Sequence, residues 1–211
     1  MRFAMQAVEL ARKMVGEKLG VSRETLSRLD IHVANLTKWQ RRINLIGMAT
    51  DAEIWERHIL DSGQLAAHLP QGSYHILDLG SGAGFPGLVL ATLQERSLTL
   101  IESDRRKAAF LRETARLLGC AGVDVVVGRI ETQNLTGKVI TARALAPLDR
   151  LISYAEPLLE PGGCCFFLKG REYEREIEEA RRRWKMRIEL LPSITSEFSR
   201  ILKIDEVSRV Q

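Results

Sequence analysis

The chain has 211 residues, 45% hydrophobic and 27% charged, which suffices for one good-sized domain with an appendage and not for two full domains. Its 16 glycines and 6 prolines are ordinary usage, so fibrous and disordered classes are excluded, and the longest uncharged stretch, residues 79–94, is broken by four glycines and a proline and is too short to span a bilayer. The 31 basic residues against 27 acidic ones give a net charge of +4, a balance that permits a nucleic-acid partner without requiring one.

Taken in order, the first residues, with Arg2, Glu9, Arg12 and Lys13 spaced through them, lack the apolar centre of a signal peptide, so a cytoplasmic location is expected. Up to Leu69 apolar residues recur at helical spacing, as in Val8, Ala11, Met14, Val15 and then Leu26, Leu29, Val33, Leu36. This predicts four or five short helices stopped by Pro70. Gly20 stands where a helix ends, Ser22 where one begins, and Thr50-Asp51-Ala52-Glu53 has the capping-box pattern. The texture changes near Pro70-Gln71-Gly72-Ser73, dividing the chain into a helical cap, residues 1–72, and a second part, residues 73–211.

In the second part, β-branched runs at 75–79, 98–102, 123–127, 138–141 and 164–168 alternate with amphipathic stretches at 105–118 and 148–159. That alternation implies parallel βαβ units and a doubly wound, Rossmann-like α/β sheet. A charged helix at 171–184 follows, in which Arg181, Arg182 and Arg183 are set to pair with Glu176, Glu178 and Glu179. Two further runs, 187–191 and 200–204, have no helix between them and predict an antiparallel hairpin at the sheet edge. Cys120, Cys164 and Cys165 cannot all pair, and no CxxC or histidine cluster suggests a metal.

The segment Asp78-Leu79-Gly80-Ser81-Gly82-Ala83-Gly84-Phe85-Pro86-Gly87 leaves the first strand and opens a helix, where open α/β sheets bind ligands. From Gly82 its spacing matches a dinucleotide fingerprint; from Asp78 it is the Asp-x-Gly-x-Gly-x-Gly motif of class I S-adenosylmethionine-dependent methyltransferases. Spacing alone does not decide. Context favours the second, because an acid two residues before Gly80 would face a pyrophosphate but suits the sulfonium and ammonium of S-adenosylmethionine, directly or through water. Glu102, ending the second strand, is placed to accept from ribose hydroxyls of either cofactor, or to cap the helix that follows. Arg129-Ile130-Glu131 ends the third strand, where backbone and an apolar side chain flank an adenine.

The chain lacks an Asn/Asp-Pro-Pro-aromatic motif after the fourth strand, and Cys164 and Cys165 sit inside an apolar run as small buried hydrophobes, not as nucleophiles. An acceptor that is already nucleophilic remains. Guanine N7 carries a lone pair and no proton, so its methylation needs alignment and no general base. Arg143 can supply positioning, since a guanidinium fork binds phosphates and stacks on bases; the other reading is an ion pair with Glu131 or Glu102.

These residues carry a resemblance. Asn44-Leu45-Ile46 with Arg57-His58-Ile59-Leu60-Asp61-Ser62, the glycine motif with its Phe85-Pro86 continuation, Glu102-Ser103-Asp104-Arg105-Arg106-Lys107 with Phe110-Leu111, and Thr141-Ala142-Arg143-Ala144 together resemble the RsmG (GidB) family of bacterial 16S ribosomal RNA guanine-N7 methyltransferases. The resemblance covers nearly the whole chain. It implies transfer of a methyl group from S-adenosylmethionine to N7 of guanosine 527 in the 530 loop of 16S rRNA. The sequence leaves open naked RNA, the 30S subunit or an assembly intermediate as substrate, and a monomer without a metal is expected. By position, it implies cofactor contacts at Gly80, Phe85, Ile130, Glu131 and Arg143, beside the motif residues Asp78, Gly82, Gly84 and Glu102; family members often carry Asp where Glu102 stands. Arg105, Arg106, Lys107, Arg129, Arg143, Lys169 and Arg171 are the RNA candidates, all expected near the carboxyl rim of the sheet. His58 reads as a hydrogen-bonded residue at the junction of cap and sheet, or as a direct participant, and Asn44 as a brace of the same junction. The rival classes are an NAD(P)-dependent oxidoreductase, which the missing Tyr-x-x-x-Lys disfavours, and a noncatalytic RNA-binding assembly factor, which the intact glycine turn disfavours.

Overall fold

The computed structural model describes residues 2–210, with side chains described from residue 5 onward. The cap opens with α1 (Arg2–Leu19) and α2 (Arg23–Gln40), separated by Gly20 at φ +63°. Ser22 Oγ accepts from Thr25 N at 3.1 Å and starts α2. Thr50 and Glu53 close the predicted capping box, with Thr50 N donating to Glu53 Oε2 at 2.7 Å. From there one continuous helical run covers residues 51–67: α3 (Asp51–Ile54), a π-helical stretch (Trp55–Leu60), α4 (Asp61–Gly63) and a 3-10 turn (Gln64–Ala67). The cap is therefore three helical bodies of similar length, where four or five short helices were expected. Gly16 does not break α1 because it abuts α2: a Cβ there would stand 2.9 Å from Leu26 Cδ1.

The remainder alternates β1 (Ile76–Leu79), α5 (Gly87–Leu93), β2 (Leu98–Glu102), α6 (Arg105–Leu117), β3 (Val123–Val127), β4 (Gly137–Arg143), α7 (Leu148–Ala155), β5 (Leu159–Lys169), α8 (Tyr173–Arg181), β6 (Trp184–Pro192) and β7 (Arg200–Arg209). The sheet order is β3-β2-β1-β4-β5-β7-β6, parallel from β3 to β5, with β7 antiparallel to β5 and β6 antiparallel to β7. Two elements end earlier than their sequence pattern predicts. The helix after Pro147 gives way to a 3-10 turn at Glu156, and the charged helix stops at Arg181 because buried Trp184 begins β6 and donates from Nε1 to Asp149 Oδ1 at 2.9 Å. Arg183 also pairs with Asp149, at 2.7 Å, and not with a glutamate of its own helix.

Successive residues of β1 point to opposite faces, and both faces are covered. Ile76 joins a core that includes Leu29, Leu36, Trp55, Ile59 and Leu65 of the cap with Phe110 of α6; Leu77 and Leu79 join Leu148, Leu151, Phe167 and Trp184 on the other side. The cap is thus packed into one face of the sheet. The strand order reverses between β1 and β4, so their carboxyl ends, at Leu79-Gly80 and Arg143-Ala144, flank the crevice where open α/β sheets hold ligands. No helix among the described residues is long and apolar enough to cross a membrane.

Candidate active site

The turn leaving β1 is shaped by three glycines with positive φ: Gly80 at +64°, Gly82 at +53° and Gly84 at +83°. At Gly80 the φ of +64° strains any side chain, and a Cβ would also displace the Leu145 side chain, whose Cδ1 would stand 2.5 Å away; at Gly82 the space is open. Gly82 N donates to Glu102 Oε2 at 2.9 Å and Asp104 N donates to Glu102 Oε1 at 2.8 Å, so the acid at the end of β2 fixes the glycine turn. Asp104, not Glu102, caps α6, accepting from Arg106 N and Lys107 N.

A cavity of about 470 Å³ opens above this turn. Gly80–Ala83 and Phe85 form one wall, Ile101, Glu102 and Ser103 a second, residues 128–131 a third and Arg143, Ala144 and Leu145 a fourth; Lys107 and the cap's Leu45, Ile46, Gly47 and His58 complete the rim. A carboxylate, the apolar side chains of Ile101, Ile130 and Leu145, and a glycine turn with its main chain at the cavity wall suit a nucleoside with a charged tail, and the volume is that of small-molecule sites, about 300–1,000 Å³.

Of the cofactor candidates, Gly80, Gly82, Phe85, Glu102, Ile130, Glu131 and Arg143 line this cavity; Asp78 and Gly84 do not. Direct contact of Asp78 with a ligand is therefore corrected. Asp78 is fully buried behind the turn, where Thr141 Oγ1 donates to its Oδ1 at 2.8 Å and its Oδ2, packed beside Gly87, has no hydrogen-bond partner. Burial lifts its carboxyl to about pH 6, against the lowering effect of Thr141. Gly84 serves the turn itself, donating from N to Ser81 O at 2.7 Å.

Arg143 forms an ion pair, but with neither acid expected from the sequence. Its Nε lies 2.9 Å from Asp61 Oδ2, and its Nη2 donates to Arg57 O at 2.7 Å. The widened π-helical turn of residues 55–60 is what presents that carbonyl. Burial lowers the guanidinium from its ordinary value, and the Asp61 charge opposes this. Arg143 also borders two further cavities, of about 260 and 540 Å³.

The RNA candidates separate. Lys107 and exposed Arg129 line the cavity of about 470 Å³, Arg105 and Arg106 are exposed at the start of α6, and Arg171 is exposed beyond β5. Lys169 is not a free rim charge: it is internal, paired with Glu176 and donating to Ala146 O at 3.0 Å, because α8 folds back and brings Glu176 over the end of β5. Asn44 is exposed before the 45–47 rim.

Two histidines sandwich Phe85. His32 stacks at a centroid distance of 4.9 Å and His58 at 5.1 Å. His32 Nε2 lies 2.9 Å from Ala83 O, an acceptor, so that nitrogen carries the proton and Nδ1 is left without a partner. Burial lowers His32 to about 4; burial and then the Arg143 charge lower His58 to about 4. Both rings are neutral at pH 7. His58 lines the cavity through its stack on Phe85, but its buried Nδ1 has no hydrogen-bond partner, so the hydrogen-bonded role expected at the junction is not found; His32 went unread in the sequence, its only local mark being an inward position beside Val33 and one turn from Leu29 and Leu36. Asp61 and Gln64 also had no assigned role: Asp61 Oδ1 accepts from Thr195 Oγ1 at 2.8 Å and Gln64 Oε1 from Ile194 N at 2.8 Å, tying the cap to the β6–β7 loop.

The sequence profile of the family described as rRNA small subunit methyltransferase G matches residues 25–200. The chain is 50% identical to a ribosomal RNA small subunit methyltransferase G of Paramagnetospirillum magneticum, over 91% of this chain and 94% of that one, and 51% identical to one of Acidiphilium cryptum, over 90% and 88%. Among solved structures, its fold is similar to magnesium protoporphyrin IX methyltransferase from Synechocystis PCC 6803 with bound SAM, with a TM-score of 0.60 at 14% identity over 87% of this chain and 97% of that one. It is also similar to ribosomal protein L11 methylase from Lactobacillus delbrueckii subsp. bulgaricus, with a TM-score of 0.59 at 17% identity over 74% and 79%.

Proposed function

The chain belongs to the rRNA small subunit methyltransferase G family, and from that premise we propose that it methylates N7 of guanosine 527 in the 530 loop of 16S rRNA, using S-adenosylmethionine. The observation that carries the reading is the cavity at the β1/β4 crevice, in which the glycine turn, the Glu102 carboxylate and the Arg143 fork face one volume. S-adenosylmethionine would supply a methyl group on a positively charged sulfur: a lone pair takes up the methyl carbon as the carbon–sulfur bond breaks, its electrons return to sulfur in S-adenosylhomocysteine, and the positive charge passes to the methylated ring.

Each residue then has a physical task. Glu102 uses one lone pair on each oxygen for Gly82 N and Asp104 N and keeps the others for ribose hydroxyls. Ile101, Ile130 and Leu145 enclose the base of the nucleoside, and the glycine turn at Gly80 and Gly82 offers its main chain to the ligand's tail. Asp78, mostly ionised at neutral pH, contributes negative potential from behind the turn without touching the ligand. Arg143 holds the acceptor, fixed by Asp61 and Arg57 O with further N–H groups of its fork to spare. No side chain has to remove a proton, because N7 carries none. Rate enhancement comes from alignment of N7 with the methyl carbon and sulfur.

Lys107 and Arg129, with Arg105 and Arg106 beside them, supply phosphate contacts at the cavity mouth. The test is calorimetry with S-adenosylhomocysteine and with NAD, followed by incubation of labelled donor with naked 16S rRNA, assembly intermediates and unmodified 30S subunits. Binding of S-adenosylhomocysteine and labelling of at least one RNA substrate support the reading. Binding of NAD alone, or no transfer to any of the three, refutes it.

A further inference from the structure

Among the described residues, Phe198 is the one exposed aromatic side chain, at 48%. It stands on the loop joining β6 to β7, and that loop is held firmly. Gln64 Oε1 accepts from Ile194 N at 2.8 Å, and Thr195 Oγ1 donates to the same Asp61 carboxylate that holds Arg143. The Arg171 guanidinium lies over the Phe198 ring, 4.0 Å from its centroid, and Arg200 lies 5.5 Å from the centroid of Tyr173 nearby. An exposed ring on an anchored loop, covered on one side by a guanidinium, is a feature that apolar packing does not explain.

Its position is informative. The chain neighbours of the pair, Gly170 and Ser199, line the cavity of about 260 Å³, which shares Arg143 and Ala144 with the donor cavity. Ala144 adopts φ +52°, a conformation that costs a residue with a Cβ and that turns the chain at the boundary of the two cavities. On the other side of the loop, Lys18 and Arg57 line the cavity of about 540 Å³. The ring thus carries one guanidinium on its face and stands one cavity away from the donor site, in a region where Arg143 and Lys169 are paired with Asp61 and Glu176 while Arg57 and Lys18 line the cavity beside Glu56.

A stacked arginine and aromatic ring hold a nucleobase of any sequence by its face while neighbouring cations take its phosphates. A stable protein interface would bury about 800 Å² on each side around an apolar centre, and on this loop only Phe198 and Ile194 are exposed large apolar residues. We infer that the Arg171–Phe198 pair is a stacking platform for single-stranded RNA, taking a base that flanks the nucleotide presented to the donor cavity. This inference rests on the RNA-methylating reading above.

The experiment measures affinity for naked unmodified 16S rRNA by filter binding, together with methyl transfer to 30S subunits. Phe198→Ala is expected to weaken RNA binding about tenfold, and Phe198→Trp to restore it; Leu190→Ala, an equally exposed apolar residue on β6, is expected to leave it unchanged. Unchanged affinity in Phe198→Ala overturns the platform. So does a loss seen with 30S subunits and not with naked RNA, which would give the ring to a protein surface. If the unaltered protein neither binds nor methylates RNA, the reading beneath the platform fails, a result separate from an effect confined to Phe198.

Discussion

Arg143 Nε lies 2.9 Å from Asp61 Oδ2, joining the carboxyl end of β4 to the helical cap through two side chains that are 17% and 15% exposed. Removing one partner leaves the other charge largely buried, a change that costs about 3 kcal/mol or more. Asp61→Ala is therefore expected to lower stability by that order in urea denaturation and to cut turnover at least tenfold. Arg143→Ala should lower turnover with S-adenosylhomocysteine affinity changed less. In a double-mutant cycle the two losses should be far from additive.

Gly82 adopts φ +53° beside open cavity space, with its N–H held by Glu102. Gly82→Asp puts a second carboxylate next to Glu102 in the ligand's volume. Calorimetry should detect no S-adenosylhomocysteine binding, while circular dichroism should report a retained fold.

Glu102 accepts from two backbone N–H groups and therefore has two separable tasks. Glu102→Gln keeps one acceptor and should weaken S-adenosylhomocysteine about tenfold, and Glu102→Ala should weaken it further because the glycine turn also loses its anchor.

The pH dependence follows from two buried groups, His32 and Asp78, and the half-buried His58. His32 and His58 are depressed from the ordinary value of 6.5 to about 4, so between those pH values the unfolded chain takes up protons that the folded one does not, and stability falls as the solution is acidified. Asp78, raised from 3.8 to about 6, acts the other way, since the folded chain protonates first as pH drops through 6. Two groups outweigh one. Urea midpoints should decline from pH 7 to pH 4, with each net proton worth about 1.4 kcal/mol per pH unit at the steepest. His32→Gln, which keeps a donor for Ala83 O, should flatten that decline.

Arg129 is exposed at the cavity mouth, whereas Lys169 is paired internally with Glu176. Arg129→Ala should lower the salt dependence of RNA binding by about one phosphate contact. Lys169→Ala should leave the salt slope unchanged and reduce stability instead.

What the sequence disclosed depended on how local its cause was. The capping box of Thr50 and Glu53, the glycine at 20 and the turn at 80–84 rest on neighbours within a few residues, and each is found where its spacing places it. The sheet followed from alternation of strand and helix patterns. The partner of Arg143 was not legible, because Asp61 meets it only when the cap packs against the sheet, and Lys169 gives no sign along the chain that α8 will cover it with Glu176. Asp78 was correctly placed at the end of β1, but the direction of its side chain depends on the pleat, which turns it away from the cavity onto Thr141. His32 lies 51 residues from the Ala83 carbonyl it serves.

The central claim is that a ring nitrogen without a proton is held in front of the donor by Arg143. It is tested most directly by mapping the methyl group on unmodified 16S rRNA after incubation with the protein and labelled S-adenosylmethionine, using strand cleavage specific for N7-methylated guanine. One cleavage is expected, at guanosine 527. Label recovered on an adenine, a cytosine or an exocyclic amine, with no cleavage there, would contradict it.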